Sequence, residues 1–170
     1  SDQIRNGKPV TGVAFNSIGR FAQSGILRER MIPRLLAADP DSLLNSQGSA
    51  FSPAAVVQHA MRNEKPGGHG DRAGAMAALE LAIWDLNAKL ADEPAYTHIA
   101  HTLGHIPTNT GTPVYAAGGY YYPGGSSTHL AEEMRAYRDQ GYTAYKIKIG
   151  GAPQTEDLSR IETAIDIAGD

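Results

Sequence analysis

The residues best suited to chemistry are Lys146 and Lys148, which alternate with Ile147 in the stretch Tyr142–Ile149. In an extended chain successive side chains point to opposite faces, so both ammonium groups share one face while Tyr145, Ile147 and Ile149 share the other. In a closed barrel one of those faces is interior. Two lysines there are costly unless they serve an anionic group. Each also makes the other harder to charge, which suits a lysine to general-base work. On spacing alone the commoner reading of such a pair is the polar face of a half-exposed strand. Lys65 sits in Asn63-Glu64-Lys65-Pro66-Gly67-Gly68-His69-Gly70, where glycine lets a backbone approach a ligand closely; by itself the stretch reads as a surface turn. It lacks the order of a phosphate-binding loop. Asn16 and Arg20 follow an expected strand end and by themselves are turn residues. His98, His101 and His105 are spaced for one helix face, but no carboxylate stands beside them in a zinc-protease arrangement, so they read as solvated. Glu64 and Glu80 show no evident partner. No nucleophile-elbow motif is present.

The elements that must position these groups are readable from periodicity. Pro9–Phe15 reads as a strand and Asn16–Arg20 as the loop after it. A helix is expected over Ser24–Ala38, capped by Ser24, strained by Pro33 and stopped by Asp39-Pro40. Asp41–Leu44 reads as a short helical or turn piece. Ser52-Pro53 opens a helix running to about Met61. Met76, Leu79, Ile83, Leu86 and Leu90 form an apolar stripe on a long helix, with Asp71 as its expected cap and Asp92 and Pro94 at its end. A shorter helix over 95–103 ends at Gly104. Residues 108–113 read as a linker. Beyond it, strands over Val114–Tyr121 and Tyr142–Ile149 alternate with helices marked by Leu130, Met134 and Tyr137, and by Leu158, Ile161 and Ile165. Strand, helix, strand, helix predicts parallel pairing through right-handed crossovers.

Composition narrows the partners. The 170 residues carry 15 Lys plus Arg against 18 Asp plus Glu, a net charge of −3. That balance excludes a basic nucleic-acid stripe and a polybasic membrane contact. The chain has no cysteine, so disulfides and thiolate sites are absent. No apolar run approaches the ~20 residues of a membrane span, and the first residues lack a signal-peptide core. The expected location is the cytoplasm.

Several of these pieces occur together, in order, in a known family. The helix Ala78-Leu-Glu-Leu-Ala-Ile-Trp-Asp-Leu-Asn-Ala-Lys89, a short helix, a linker, a strand and then a Lys-x-Lys strand resemble the enolase superfamily, within it the mandelate racemase and muconate-lactonising group. Phe15–Arg20, Asn63–Gly70 and Val114–Pro123 resemble its D-tartrate dehydratase branch. The resemblance implies an α+β capping domain (1–107) lacking its first strands, followed by the first two βα units of a (β/α) TIM-type barrel (108–170). It implies a Mg²⁺-dependent lyase acting on a small hydroxy acid, with Lys148 as the base, Lys146 neutralising the carboxylate, and Lys65, Asn16 and Arg20 contacting substrate. Ile18 departs from the branch, where a polar residue is usual. The family's metal ligands and its catalytic histidine are expected beyond residue 170, so the piece is expected to be inactive by itself and the full-length protein to be a homo-oligomer. A related racemase or an aldonate or aldarate dehydratase is the neighbouring alternative, and a non-catalytic binding or structural module is the alternative of another class.

Overall fold

The computed structural model describes residues 1–16, 22–65, 69–108, 111–125 and 127–169, and only the backbone of His69. Arg20 and Ile18 lie outside the described residues. The chain divides into two compact units, Ser1–Thr108 and Asn109–Asp170.

The first unit opens with a hairpin. Strands β1 (Ile4–Arg5) and β2 (Lys8–Pro9) pair antiparallel, Ile4 opposite Pro9 and Arg5 opposite Lys8. Asn6 and Gly7 connect them, both with positive φ (51° and 73°), as an Asn-Gly hairpin turn requires. The strand expected over Pro9–Phe15 does not form beyond Pro9. That segment instead lies along helix α4 (His69–Ala91), whose side chains satisfy its backbone. Val13 N–H donates to Asp85 Oδ2 at 2.7 Å, and Lys89 Nζ donates to the Thr11 carbonyl at 3.1 Å. The approach is close enough that a Cβ on Gly12 would meet the Ala82 carbonyl oxygen at 2.0 Å.

Helix α1 (Gln23–Ile26) passes through a π-helical stretch (Leu27–Met31) into α2 (Ile32–Leu36). Pro33 lies in the first turn of α2, and the widened turn before it answers the expected strain. Proline supplies no N–H and its ring crowds the preceding turn, which a wider turn accommodates without ending the helix. The helix starts at Gln23, so Ser24 is not its cap. A 3₁₀ turn follows (Pro40–Leu43), with the Asp39 side chain accepting from Asp41 N–H. Helix α3 (Pro53–Ala60) begins as expected, Ser52 Oγ accepting from Ala55 N–H at 3.2 Å. Helix α4 starts two residues before Asp71, which therefore sits inside the first turn rather than capping it. Helix α5 (Ala95–Thr102) ends before Gly104, where φ is 74°. The core of this unit is Met31, Ala60, Ala75 and Met76, with Leu27, Leu35, Val57 and Leu79 packed around them.

The second unit is strand β3 (Ala116–Ala117), helix α6 (Ser127–Asp139), strand β4 (Tyr145–Lys146) and helix α7 (Gln154–Ala168). The strands pair parallel, Ala116 with Tyr145 and Ala117 with Lys146. They are much shorter than expected, although single bonds continue the ladder: Gly118 N–H to the Lys146 carbonyl at 3.0 Å and Lys148 N–H to the Gly119 carbonyl at 3.3 Å. Gly119 has φ 61°, which turns the backbone out of the extended region and ends the strand. Leu130, Ala131, Met134 and Ile167 form the core, with Tyr145 and Ile147 against it. The buried face of α7 differs from the expected stripe. Asp157, Arg160 and Ile167 are buried, while Leu158 and Ile165 are 50% and 61% exposed. The architecture is a capping-type α+β unit followed by two βα units of an unclosed (β/α) barrel.

Candidate active site

Lys146 in β4 and Lys148, two residues past its end, alternate with Tyr145 and Ile147, which pack against the core. Lys146 is exposed and Lys148 half-buried. Each lies against an aromatic ring of the neighbouring strand segment. Lys146 Nζ is 5.8 Å from the centre of the Tyr115 ring, and Lys148 Nζ is 5.3 Å from that of Tyr120.

The backbone beneath Lys148 is fixed by a buried polar network. Gly119 accepts from Lys148 N–H and from Arg160 Nη2, the latter at 2.6 Å, while its own N–H donates to Glu133 Oε2 at 3.1 Å. A Cβ on Gly119 would stand 2.8 Å from the Ile147 side chain, so only glycine fits there. Glu133 Oε1 also accepts from the Tyr137 hydroxyl at 2.7 Å. That bond, with burial and the Glu133 charge, pushes the Tyr137 phenol up to about 12.

The loop after Lys148 is held by Asp157. Its carboxylate accepts from the Tyr121 hydroxyl and from Gly150 N–H at 2.6 Å. The Tyr121 bond, the loop amides and nearby Arg160 hold Asp157 below the usual carboxylate range against the cost of burial. Arg160 stacks on Tyr121 with its guanidinium carbon 4.4 Å from the ring centre.

In the first unit, Lys65 is exposed and follows a charge cluster that the sequence reading missed. Glu64, read as partnerless, is only 4% exposed and meets three guanidiniums: Arg30 at 2.5 Å, Arg34 at 2.8 Å and Arg72 at 3.1 Å. The Arg34 hydrogen bond leads, with Arg72 and Arg30 adding to it against burial, and the Glu64 pKa falls to about 2. Arg72 Nη1 also donates to the Lys65 carbonyl at 2.6 Å, so the cluster anchors the backbone that carries Lys65. Arg30 and Arg34 are one helical turn apart, a spacing that could have signalled a shared anion. Asn16 is exposed and donates from Nδ2 to the Gly74 carbonyl at 2.5 Å. Gly74 is a close approach: a Cβ there would meet Gln23 Nε2 at 2.5 Å.

Two further carboxylates have partners. Glu80 Oε1 accepts from Trp84 Nε1 at 3.4 Å. Glu93 faces His98 Nδ1 at 3.6 Å and His101 Nδ1 at 3.4 Å. The solvated reading of these histidines is corrected for His98, which is 18% exposed and stands edge-on to Trp84 at 6.3 Å. Among the described residues no three His, Cys, Asp or Glu side chains gather to hold a metal ion. The described residues therefore do not by themselves supply a magnesium site. Among them, no helix is long and apolar enough to cross a membrane.

The chain is weakly homologous to acid-sugar dehydratases of the enolase superfamily. It is 26% identical over 147 residues to a D-galactonate dehydratase family member of Musicola paradisiaca, covering 85% of this chain and 31% of that protein. It is 29% identical over 161 residues to a D-mannonate dehydratase of a Caulobacter strain, covering 92% and 35%. With the arabinonate dehydratase of Saccharolobus solfataricus it shares 25% over 104 residues, 61% of this chain and 26% of that one. The chain thus spans about a third or less of the length of these relatives. No family model matches it. The names of these relatives specify galactonate, mannonate and arabinonate, so they support the dehydratase class and not tartrate in particular.

Proposed function

We propose that these residues serve a hydro-lyase that removes water from a hydroxy acid, with D-tartrate as substrate and oxaloacetate as product. The observation that carries the reading is the pair Lys146 and Lys148, alternating with Tyr145 and Ile147, which pack against the core. In this scheme the neutral amine of Lys148 takes the proton from C2, next to the carboxylate. The electron pair left on C2 forms the C2–C3 double bond as the C3 hydroxyl departs, protonated to water by a general acid. The enol then takes a proton at C3 and becomes the 2-oxo acid. Lys146, kept as ammonium, pairs with the substrate carboxylate and offsets the charge that builds on it. Lys65 grips the far end of the acid, and Asn16 and Arg20 shape specificity. Residues 1–107 act as the capping domain and 108–170 as the opening of the catalytic barrel. Mg²⁺ and a homo-oligomeric full-length state belong to the same proposal; no step above runs through the metal, whose ligands these residues do not supply.

Tartrate is supported by the stretches Phe15–Arg20, Asn63–Gly70 and Val114–Pro123. The names of the relatives favour a second substrate, a longer aldonate, for which the lysine chemistry is the same. The discriminating experiment presents the full-length enzyme with tartrate, galactonate, mannonate and arabinonate and measures 2-oxo acid formation. Lys148→Ala is expected to abolish turnover while binding of the preferred acid persists. Turnover retained by Lys148→Ala removes the lysine from the role of base, and turnover of an aldonate but not tartrate moves the substrate.

A further inference from the structure

The tyrosines of the segment around β3 carry the cations of the segment around β4 and of α7 in sequence order. Tyr115 lies against Lys146, Tyr120 against Lys148 and Tyr121 against Arg160, at 5.8, 5.3 and 4.4 Å. The parallel register explains the order. Ala116 pairs with Tyr145 and Ala117 with Lys146, so rings and ammonium groups advance together along adjacent chains. The Tyr121–Arg160 pair is explained by the buried network that closes the loop. The Tyr120–Lys148 pair lies outside that network: Tyr120 is 49% exposed, with the Tyr122 ring 6.2 Å away as a further neighbour. Its backbone is set from below, because Gly119 is bonded by Glu133, Arg160 and Lys148. A backbone held in this way presents the ring to the ammonium.

We infer that Tyr120 is a positioning residue for Lys148: its ring face seats the lysine side chain and sets its resting direction. The inference rests on the reading of Lys148 as a working group, but adds a residue that reading does not contain. The attraction of a cation to an exposed ring face is worth about 0.5–1 kcal/mol. The ring therefore gives the side chain a defined resting direction. The phenolic hydroxyl plays no part in this, since the ring supplies the interaction.

The test uses the chain itself and needs no turnover. Lysine acylation by an activated ester at constant neutral pH is followed by peptide mass spectrometry, with exposed Lys65 as the internal reference. Tyr120→Leu is expected to raise the relative acylation rate of Lys148 about two- to fivefold. Tyr120→Phe, which keeps the ring face, is expected to leave it unchanged. Tyr96→Leu, at an exposed tyrosine of the first unit, is the control and is expected to leave the Lys148 rate unchanged. In parallel, NMR of the lysine side chains is expected to show an upfield ring-current displacement of the Lys148 ε-methylene that is lost in Tyr120→Leu and kept in Tyr120→Phe. An unchanged rate and unchanged shift in Tyr120→Leu, or equal changes in Tyr96→Leu, overturn the inference. Loss of both signals in Tyr120→Phe also overturns it, because the hydroxyl would then be the operative group. Failure of Lys148 as base appears instead as retained turnover in Lys148→Ala, which leaves these readouts untouched.

Discussion

The two units fix their candidate lysines by opposite electrostatic means. In the first, one buried carboxylate, Glu64, faces three guanidiniums, and the surplus positive charge borders Lys65. In the second, Asp157 is held mainly by neutral donors, the Tyr121 hydroxyl and the loop amides, with Arg160 as its charged neighbour. The first arrangement depends on a single negative charge that keeps like charges together. The second depends on a set of hydrogen bonds and ring contacts, none of which carries the whole load. The difference teaches where each site is brittle: the first at one carboxylate, the second at its geometry.

The largest expected effects come from the cores on which both devices rest. Met31 is fully buried in the first unit and Met134 is 1% exposed in the second. Truncating either to alanine is expected to lose about 2–5 kcal/mol. Amide hydrogen exchange resolves the consequence, with faster exchange across α3 and α4 for Met31→Ala, and across α6 and α7 for Met134→Ala. Equal acceleration everywhere would mean that the two units do not hold separate cores.

Glu64→Gln ranks next and separates the two designs. It removes the carboxylate that three guanidiniums share, so the thermal midpoint is expected to fall clearly at pH 7 and to recover in part when salt screens the cations. Asp157→Asn keeps one acceptor oxygen and gives up the other, which faces either the Tyr121 hydroxyl or Gly150 N–H, so its loss is expected to be that of one hydrogen bond, smaller and insensitive to salt. Similar salt responses in both variants would erase the distinction drawn between charge and geometry.

Titration sharpens the comparison from both ends of the pH scale. The Glu64 carboxyl lies at about 2 in the folded chain against an ordinary 4.5. Below 4.5 the unfolded chain takes up a proton that the folded chain refuses, so this stabilisation is complete above pH 4.5 and is lost as pH falls through about 2. Tyr137 lies at about 12 against an ordinary 10. Above pH 10 the unfolded chain releases a proton that the folded chain keeps, so that contribution is complete below pH 10 and is lost as pH rises through about 12. Stability is expected to fall in acid with a component removed by Glu64→Gln, and in alkali with a component removed by Tyr137→Phe. Acid and alkaline limbs unchanged in the two variants would dissociate these groups from the transitions.

What the sequence made legible follows the range of the interactions involved. Helix α3 was readable from Ser52-Pro53, and the end of α5 from Gly104, because those signals act within one turn. Parallel pairing was readable from the alternation of strand and helix, and the lysine face from period two. The stretch after Pro9 was misread because its backbone partners, Asp85 and Lys89, lie on a helix some seventy residues later. The same distance hid the Glu64 cluster, whose arginines come from two helices on either side of it in the chain. The Asn6-Gly7 hairpin, by contrast, was a local signal passed over for the more apolar run that follows it. The exposed stripe on α7 shows a further limit: periodicity identifies a helix with apolar residues on one side, but Asp157 and Arg160 took the buried side through hydrogen bonds that hydrophobicity does not register.

The smallest expected effect tests whether local signals differ between the units as the charge networks do. Helix α3 has a side-chain cap, Ser52 Oγ accepting from Ala55 N–H, whereas α7 begins at Pro153 with no such bond and with Glu156 and Asp157 in its first turn. Ser52→Ala is expected to cost about 1 kcal/mol, because it strands one amide at the start of a helix only eight residues long. Ser52→Asp is expected to recover that loss, since a carboxylate both accepts the bond and complements the helix N-terminus. Pro153→Ala leaves α7 without a comparable penalty if its start is set by the Asp157 network rather than by a cap. Measured by chemical denaturation, a loss in Pro153→Ala as large as that in Ser52→Ala would show that α7, like α3, is positioned from its first residue, and that the Asp157 network follows the helix instead of fixing it.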